Sequence, residues 1–176
     1  TTVDTSIPDN AEPILKWPAE GVTRVPYQVY QDPDIFAAEN KSIFRGPTWN
    51  FLALEAELPE PGVFKTSFVG STPVIVCRDR DGVLRAMVNR CAHRGALVCL
   101  DPQGNRKNFT CVYHNWSYDL AGKLVGVAFR NGVKGQGGMP KDFDLAQHGL
   151  ETLSVTTYSG LIFGSFRADM PPIEEY

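Results

Sequence analysis

Two short segments constrain this chain more than any other part of its 176 residues: Cys91-Ala92-His93, and Cys111-Val112-Tyr113-His114 seventeen residues further on. Each closes a run of strand-like residues and offers one thiolate and one imidazole. Two such loops can hold zinc or an iron-sulfur cluster, provided the fold brings the two strand ends together. Zinc ribbons and fingers draw paired ligands at C-x2-4-C or H-x3-5-H spacing, and a C-x-H arm fits neither form well. In a 2Fe-2S site where two cysteines bind one iron and two histidines the other, both arms must span both irons. A one-residue gap in the first arm and a two-residue gap in the second let each loop send its cysteine inward and its histidine outward. Gly95, after Arg94, suits a loop whose backbone approaches such a group closely.

The rest of the chain reads as mostly β. From Trp49 onward, short runs of β-branched and aromatic residues alternate with turn residues, as in an all-β barrel or sandwich. KTSFVG, TPVIVCRD and VLRAMVNR are successive strands, the last two joined at the hairpin signal Asp81-Gly82. FTCVYH is a further strand, SYD and KLVG pair across Leu120-Ala121-Gly122, and ETLSVTTYS with GLIFGSF forms a closing hairpin. FRNGVKGQGGMPKDF, with four glycines and a proline, is a surface loop. Upstream, Asp32 can cap a helix, Pro33 fits its first position, and Ile35, Phe36, Ile43 and Phe44 recur at roughly helical spacing until Gly46. That predicts a helix near 33–44. The expected division is an extended arm over 1–26, a helical lead-in over 27–48 and one β domain over 49–170.

With 43% hydrophobic residues, the chain can fill a core without disulfide staples. The net charge of -3 comes from 20 acidic and 17 basic residues scattered along the sequence, with no basic stripe and interleaved aromatics, so nucleic acid is not an expected partner. The apolar runs fall far short of the ~20 residues that cross a bilayer, and the polar N-terminus lacks a signal-peptide core. The chain therefore reads as cytoplasmic, where cysteines stay reduced and clustered ones bind metal or act in redox chemistry. Cys77, in PVIVC, and Cys99, outside both ligand arms, read as buried thiols.

C-x-H-R-G followed by C-x2-H resembles the Rieske family. The resemblance implies a mostly β Rieske 2Fe-2S fold, with small antiparallel sheets and two cluster-binding loops behind an N-terminal helix. It makes Cys91, His93, Cys111 and His114 the cluster ligands, with Arg94, Gly95, Trp116 and Tyr118 around them. Respiratory Rieske proteins join their loops by a disulfide, but here the matching residues are Ala96 and Tyr113. They also carry a serine two residues after the second histidine, where this chain has Trp116. Fewer hydrogen bonds to the sulfurs predict a potential near about -150 mV, the low end of the Rieske range. Trp116 and Tyr118 either pack over the cluster or tune it; a tyrosine hydroxyl near a cysteine sulfur would be the tuning version. Arg94 either pairs with a surface acid or faces a partner domain.

Further along, H-N-W-S-Y-D resembles the large (alpha) subunits of bacterial ring-hydroxylating non-haem iron oxygenases, and the resemblance runs from about Arg24 to the end. GVAFRNGVKGQGGMPKDFDLAQHGL looks like the branch acting on aromatic carboxylates such as salicylate, anthranilate and terephthalate. In that family a larger catalytic domain follows, whose mononuclear Fe(II) is held by two histidines and a carboxylate. This chain has three histidines. With His93 and His114 on the cluster, only His148 remains, read as a surface or loop residue, so a Rieske fragment without catalytic residues of its own is expected. The family also implies a ferredoxin or flavin-containing reductase as electron donor and neighbouring alpha subunits in a trimer, with or without a small beta subunit. His114 becomes the electron exit, through a carboxylate of the adjacent catalytic domain. Two other readings stay open: a free-standing Rieske ferredoxin, which a stop codon after Tyr176 would favour, and a structural zinc module, which would be colourless.

Overall fold

The computed structural model describes residues 17–19, 21–134 and 136–176. Its strands are β1 (Asn50–Leu54), β2 (Val63–Val69), β3 (Thr72–Arg78), β4 (Leu84–Val88), β5 (Gln103–Asn105), β6 (Phe109–Thr110), β7 (Ser117–Tyr118), β8 (Leu124–Gly126), β9 (Thr152–Tyr158) and β10 (Leu161–Ser165). A seven-stranded sheet runs β1-β10-β9-β4-β3-β2-β5, and a three-stranded sheet runs β6-β7-β8, with every pairing antiparallel. The large sheet curls until β1 lies beside β2.

The unbroken apolar run Pro73-Val74-Ile75-Val76-Cys77 accounts for the layering, because β3 is buried on both faces. Ile75 and Cys77 point with Met87 of β4 into a core shared with Phe109, Tyr118 and Leu124 of the small sheet. Val74 and Val76 point with Ala86 and Val88 the other way, into a core inside the curl with Leu52 and Ile162. A one-residue slip of β3 would exchange these two sets. Both short hairpins, β3–β4 and β7–β8, close on an Asp-x-x-Gly turn. Asp79 Oδ1 accepts the N–H groups of Asp81 and Val83, and Asp119 Oδ1 those of Ala121 and Lys123. Burial works against the charge on Asp79, but hydrogen bonds from Arg85 and from these backbone groups outweigh it and hold its pKa below the usual range.

The predicted helix over 33–44 is present as α1 (Pro33–Glu39), continued by a π turn over Asn40–Phe44. Asp32 caps it, accepting from the N–H groups of Asp34 (2.8 Å) and Ile35 (3.3 Å). It ends at Gly46, where a Cβ would stand 2.0 Å from the carbonyl oxygen of Ser42. Asn40 docks the helix on the β2–β3 hairpin through Ser71. The arm expected over 1–26 falls largely outside the described residues. The expected strand FTCVYH stops at Thr110, because the chain turns at Cys111 into a loop.

Candidate metal centre

Each C/H segment forms a six-residue turn, and the two turns share one backbone design. In 91–96, Gly95 N–H donates to the Cys91 carbonyl and Cys91 N–H to the Ala96 carbonyl, each at 2.8 Å. In 111–116, Asn115 N–H donates to the Cys111 carbonyl and Cys111 N–H to the Trp116 carbonyl, each at 2.9 Å. The fifth residue has a positive φ in both, +71° at Gly95 and +54° at Asn115. Glycine and asparagine are the residues that adopt this conformation at least cost. A Cβ at Gly95 would meet no protein atom, so the turn supplies a conformational reason for this glycine.

The necks of the turns are fixed separately. The second turn is the loop of the β6–β7 hairpin, braced by Thr110 Oγ1 and Ser117 Oγ at 2.9 Å. The first is closed by Asn89, a buried amide just past β4. Its Oδ1 accepts the N–H groups of Val98 (3.0 Å) and Cys99 (2.9 Å), while its Nδ2 donates to the Cys99 carbonyl (2.8 Å). Asn89 was not among the residues singled out by sequence; its signal was a lone amide at the end of the apolar strand run.

The turns bring together the four side chains that their spacing picked out. Cys91 and Cys111 are free, buried thiols, and the rings of His93 and His114 lie 4.7 Å apart at 71°. His93 Nδ1 is buried without a hydrogen-bond partner among the described residues. An orphaned ring nitrogen costs free energy unless something occupies its lone pair, and a metal does so. Burial, then the neighbouring His114 and Arg94, lower the His93 pKa, which favours the neutral imidazole that ligates metals. Among the described residues no three His, Cys, Asp or Glu side chains form a group able to hold one metal ion. Two thiols and two imidazoles divided between two loops instead fit a two-iron cluster, with two protein ligands on each iron.

The flanking residues divide by what they touch. Tyr118 is fully buried, with its hydroxyl 3.2 Å from Cys91 Sγ and 3.1 Å from the Ala92 nitrogen. Ala92 N–H can only donate, so the phenol's own proton is free to point at the Cys91 sulfur. Burial, then the Cys91 sulfur, push the Tyr118 pKa above its ordinary value, so the phenol keeps that proton. Trp116 lies flat on His93, with ring centroids 4.7 Å apart and planes 6° apart. Tyr113 leans on His114 at 3.9 Å. Arg94 is exposed and joins none of the ion pairs among the described residues. Cys77 and Cys99 are buried, as their sequence contexts predict, and burial pushes the Cys77 thiol up to about 12. His148, read from sequence as a surface or loop residue, lies half-buried in a 3-10 turn with its ring 5.8 Å from that of Trp116.

Residues 48–136 match the family model of the Rieske [2Fe-2S] domain. The large subunit of anthranilate 1,2-dioxygenase from Burkholderia cepacia is 54% identical over 162 residues, which cover 92% of this chain and 38% of that protein. Subunit alpha 2 of the terminal oxygenase component of a Comamonas terephthalate 1,2-dioxygenase is 50% identical, covering 94% of this chain and 40% of that protein. Among solved structures, naphthalene 1,2-dioxygenase with indole bound in its active site superposes with a TM-score of 0.76 at 33% identity, covering 85% of this chain and 32% of that one. The chain thus spans about two fifths of the length of these curated relatives.

Proposed function

We propose that this chain, which belongs to the Rieske [2Fe-2S] family, is the electron-transfer domain of an aromatic-ring-hydroxylating oxygenase, with Cys91, His93, Cys111 and His114 as its cluster ligands. The observation that carries the ligand reading is the orphaned Nδ1 of His93, set beside His114 between two matching turns. Bound there, the cluster takes up and releases one electron at a time. The protein's part is to hold two thiolates in a dry pocket, keep His93 neutral and fix both imidazoles. The donor is a ferredoxin or flavin-containing reductase. The acceptor is a mononuclear iron that activates dioxygen in a catalytic domain outside this chain, reached through His114 and a neighbouring alpha subunit. The names of the relatives, anthranilate and terephthalate dioxygenases, support an aromatic carboxylate as the substrate. No described helix is long and apolar enough to cross a membrane.

Metal analysis of the purified chain tests the site. Two irons and two acid-labile sulfides per chain are expected, with a rhombic EPR signal after one-electron reduction and a midpoint near about -150 mV. Zinc without iron, or a midpoint well above zero, would overturn the reading.

Tyr118 supplies a finer test. Its O–H donates to the Cys91 sulfur, a bond that strengthens as the cluster gains negative charge and so favours the reduced state. Tyr118→Phe removes it with little change in shape. At about 1 kcal/mol for one hydrogen bond, and 59 mV per tenfold change in a one-electron equilibrium, the midpoint falls by about 40 mV. Protein-film voltammetry of the two proteins measures the difference, and an unchanged midpoint would remove Tyr118 from the tuning groups.

A further inference from the structure

We propose that His148 is a positioning residue for the cluster site: it holds the indole of Trp116 flat against the imidazole of His93. The inference rests on the reading that His93 is a cluster ligand. Trp116 is buried, and its carbonyl is taken by Cys111 N–H, so the second turn fixes its backbone. The backbone does not fix the plane of the indole, which has two side-chain torsions and follows its neighbours. Among the described residues, three rings pack against it. His93 lies parallel at 4.7 Å, while Phe143 at 5.6 Å and His148 at 5.8 Å each meet it at 74°. Edge-to-face contacts of this kind select one orientation of an aromatic plane.

His148 can act as a brace because its own ring is anchored. Its Nδ1 lies 2.8 Å from the carbonyl oxygen of Asp144. A carbonyl only accepts, so Nδ1 carries the proton and the ring is held by a donated hydrogen bond. The Asp144 side chain in turn caps the turn Leu145–His148 by accepting from Ala146 N–H at 2.9 Å. Phe143 packs on His148 at 4.4 Å, and its carbonyl accepts from Arg130 Nη2 at 3.0 Å. A line of contacts therefore runs from Asp144 through His148 and Trp116 to His93. An apolar ring at position 148 would keep the edge contact with Trp116 and lose only this anchor, so it restores the orientation of the indole in part. The rotation of a ligating imidazole about its bond to iron sets its orbital overlap and the direction of its remaining N–H, which is what groups behind the ligands control.

The test compares the cluster-loaded chain with His148→Ala and His148→Phe, reading iron and sulfide content, the g values of the reduced cluster and its midpoint potential. In His148→Ala, the metal and sulfide content stays at the wild-type level. The spread of g values changes and the one-electron equilibrium moves at least about threefold, roughly 28 mV at 59 mV per tenfold. His148→Phe restores a ring against Trp116 and brings both readings back toward wild type. If His148→Ala does not fold, His148→Gln, which keeps an N–H for Asp144 but removes the ring, is read in the same way. Wild-type g values and midpoint in a loaded His148→Ala protein overturn the inference alone, and so does a His148→Phe protein that behaves like His148→Ala. A wild-type chain without iron and sulfide, or without a Rieske signal, overturns the ligand reading and the inference with it.

Discussion

His93→Ala yields a folded chain that holds no [2Fe-2S] cluster: iron and acid-labile sulfide fall to background, and visible absorption and the EPR signal go with them. In the proposed ligand set, the iron held by two imidazoles would depend on His93 for half of its protein ligation, and no other described histidine pairs with His114. Folding survives because the substitution breaks no hydrogen bond. His93 Nδ1 has no hydrogen-bond partner among the described residues, and the losses within the protein are the stacking on Trp116 and the edge contact with His114. At about 1 kcal/mol for each ring contact, the melting temperature of the cluster-free chain falls by no more than about 8 °C. Far-UV circular dichroism beside metal analysis separates the two effects. A His93→Ala protein that retains two irons and two sulfides would remove His93 from the ligand set.

Asn89→Ala has the opposite profile, a loss of stability with every ligand in place. The amide is buried and makes three hydrogen bonds to Val98 and Cys99, and the truncation strands two N–H groups and one carbonyl away from water. At about 1 kcal/mol per bond the cost is about 3 kcal/mol, which lowers the melting temperature of a chain this size by about 6–12 °C. Asn89→Asp keeps the acceptor for both N–H groups but sets a carboxylate oxygen against the Cys99 carbonyl, so it falls between wild type and Asn89→Ala. Thermal melts of the three proteins order them. A shift under about 2 °C for Asn89→Ala would mean that residues 98 and 99 relax to water instead of staying buried.

What the sequence made legible was local. The candidate ligand pattern fits within 24 residues, and the D-G and L-A-G turns carry their own chemistry, so both C/H turns and both short hairpins could be located directly. The helix over 33–44 was readable for the same reason, since Asp32, Pro33 and Gly46 mark its ends. β5 was missed because Gln103-Gly104-Asn105 is exposed and polar, and it joins the sheet by backbone pairing with β2 rather than by an apolar pattern. FTCVYH looked like one strand because composition does not show where a ladder stops, and the left-handed backbone at Asn115 that shapes the turn has only a weak signal in the sequence. His148 lies 32 residues beyond Trp116 in the chain, and its place against the indole depends on the folded course of the intervening loop.

The matching backbones of the two cluster turns have a consequence for how such a site can be altered. If both arms present the same six positions on the same scaffold, the inequivalence of their imidazoles comes down to one choice: third place in 91–96, fourth place in 111–116. The turn behaves like a socket whose pins can be moved, so exchanging Tyr113 and His114 transposes a ligand by one position without asking the chain for a new conformation. The relative tilt of the two imidazoles then depends on side-chain order in the turn together with the rings packed on them, Trp116 on His93 and Tyr113 on His114.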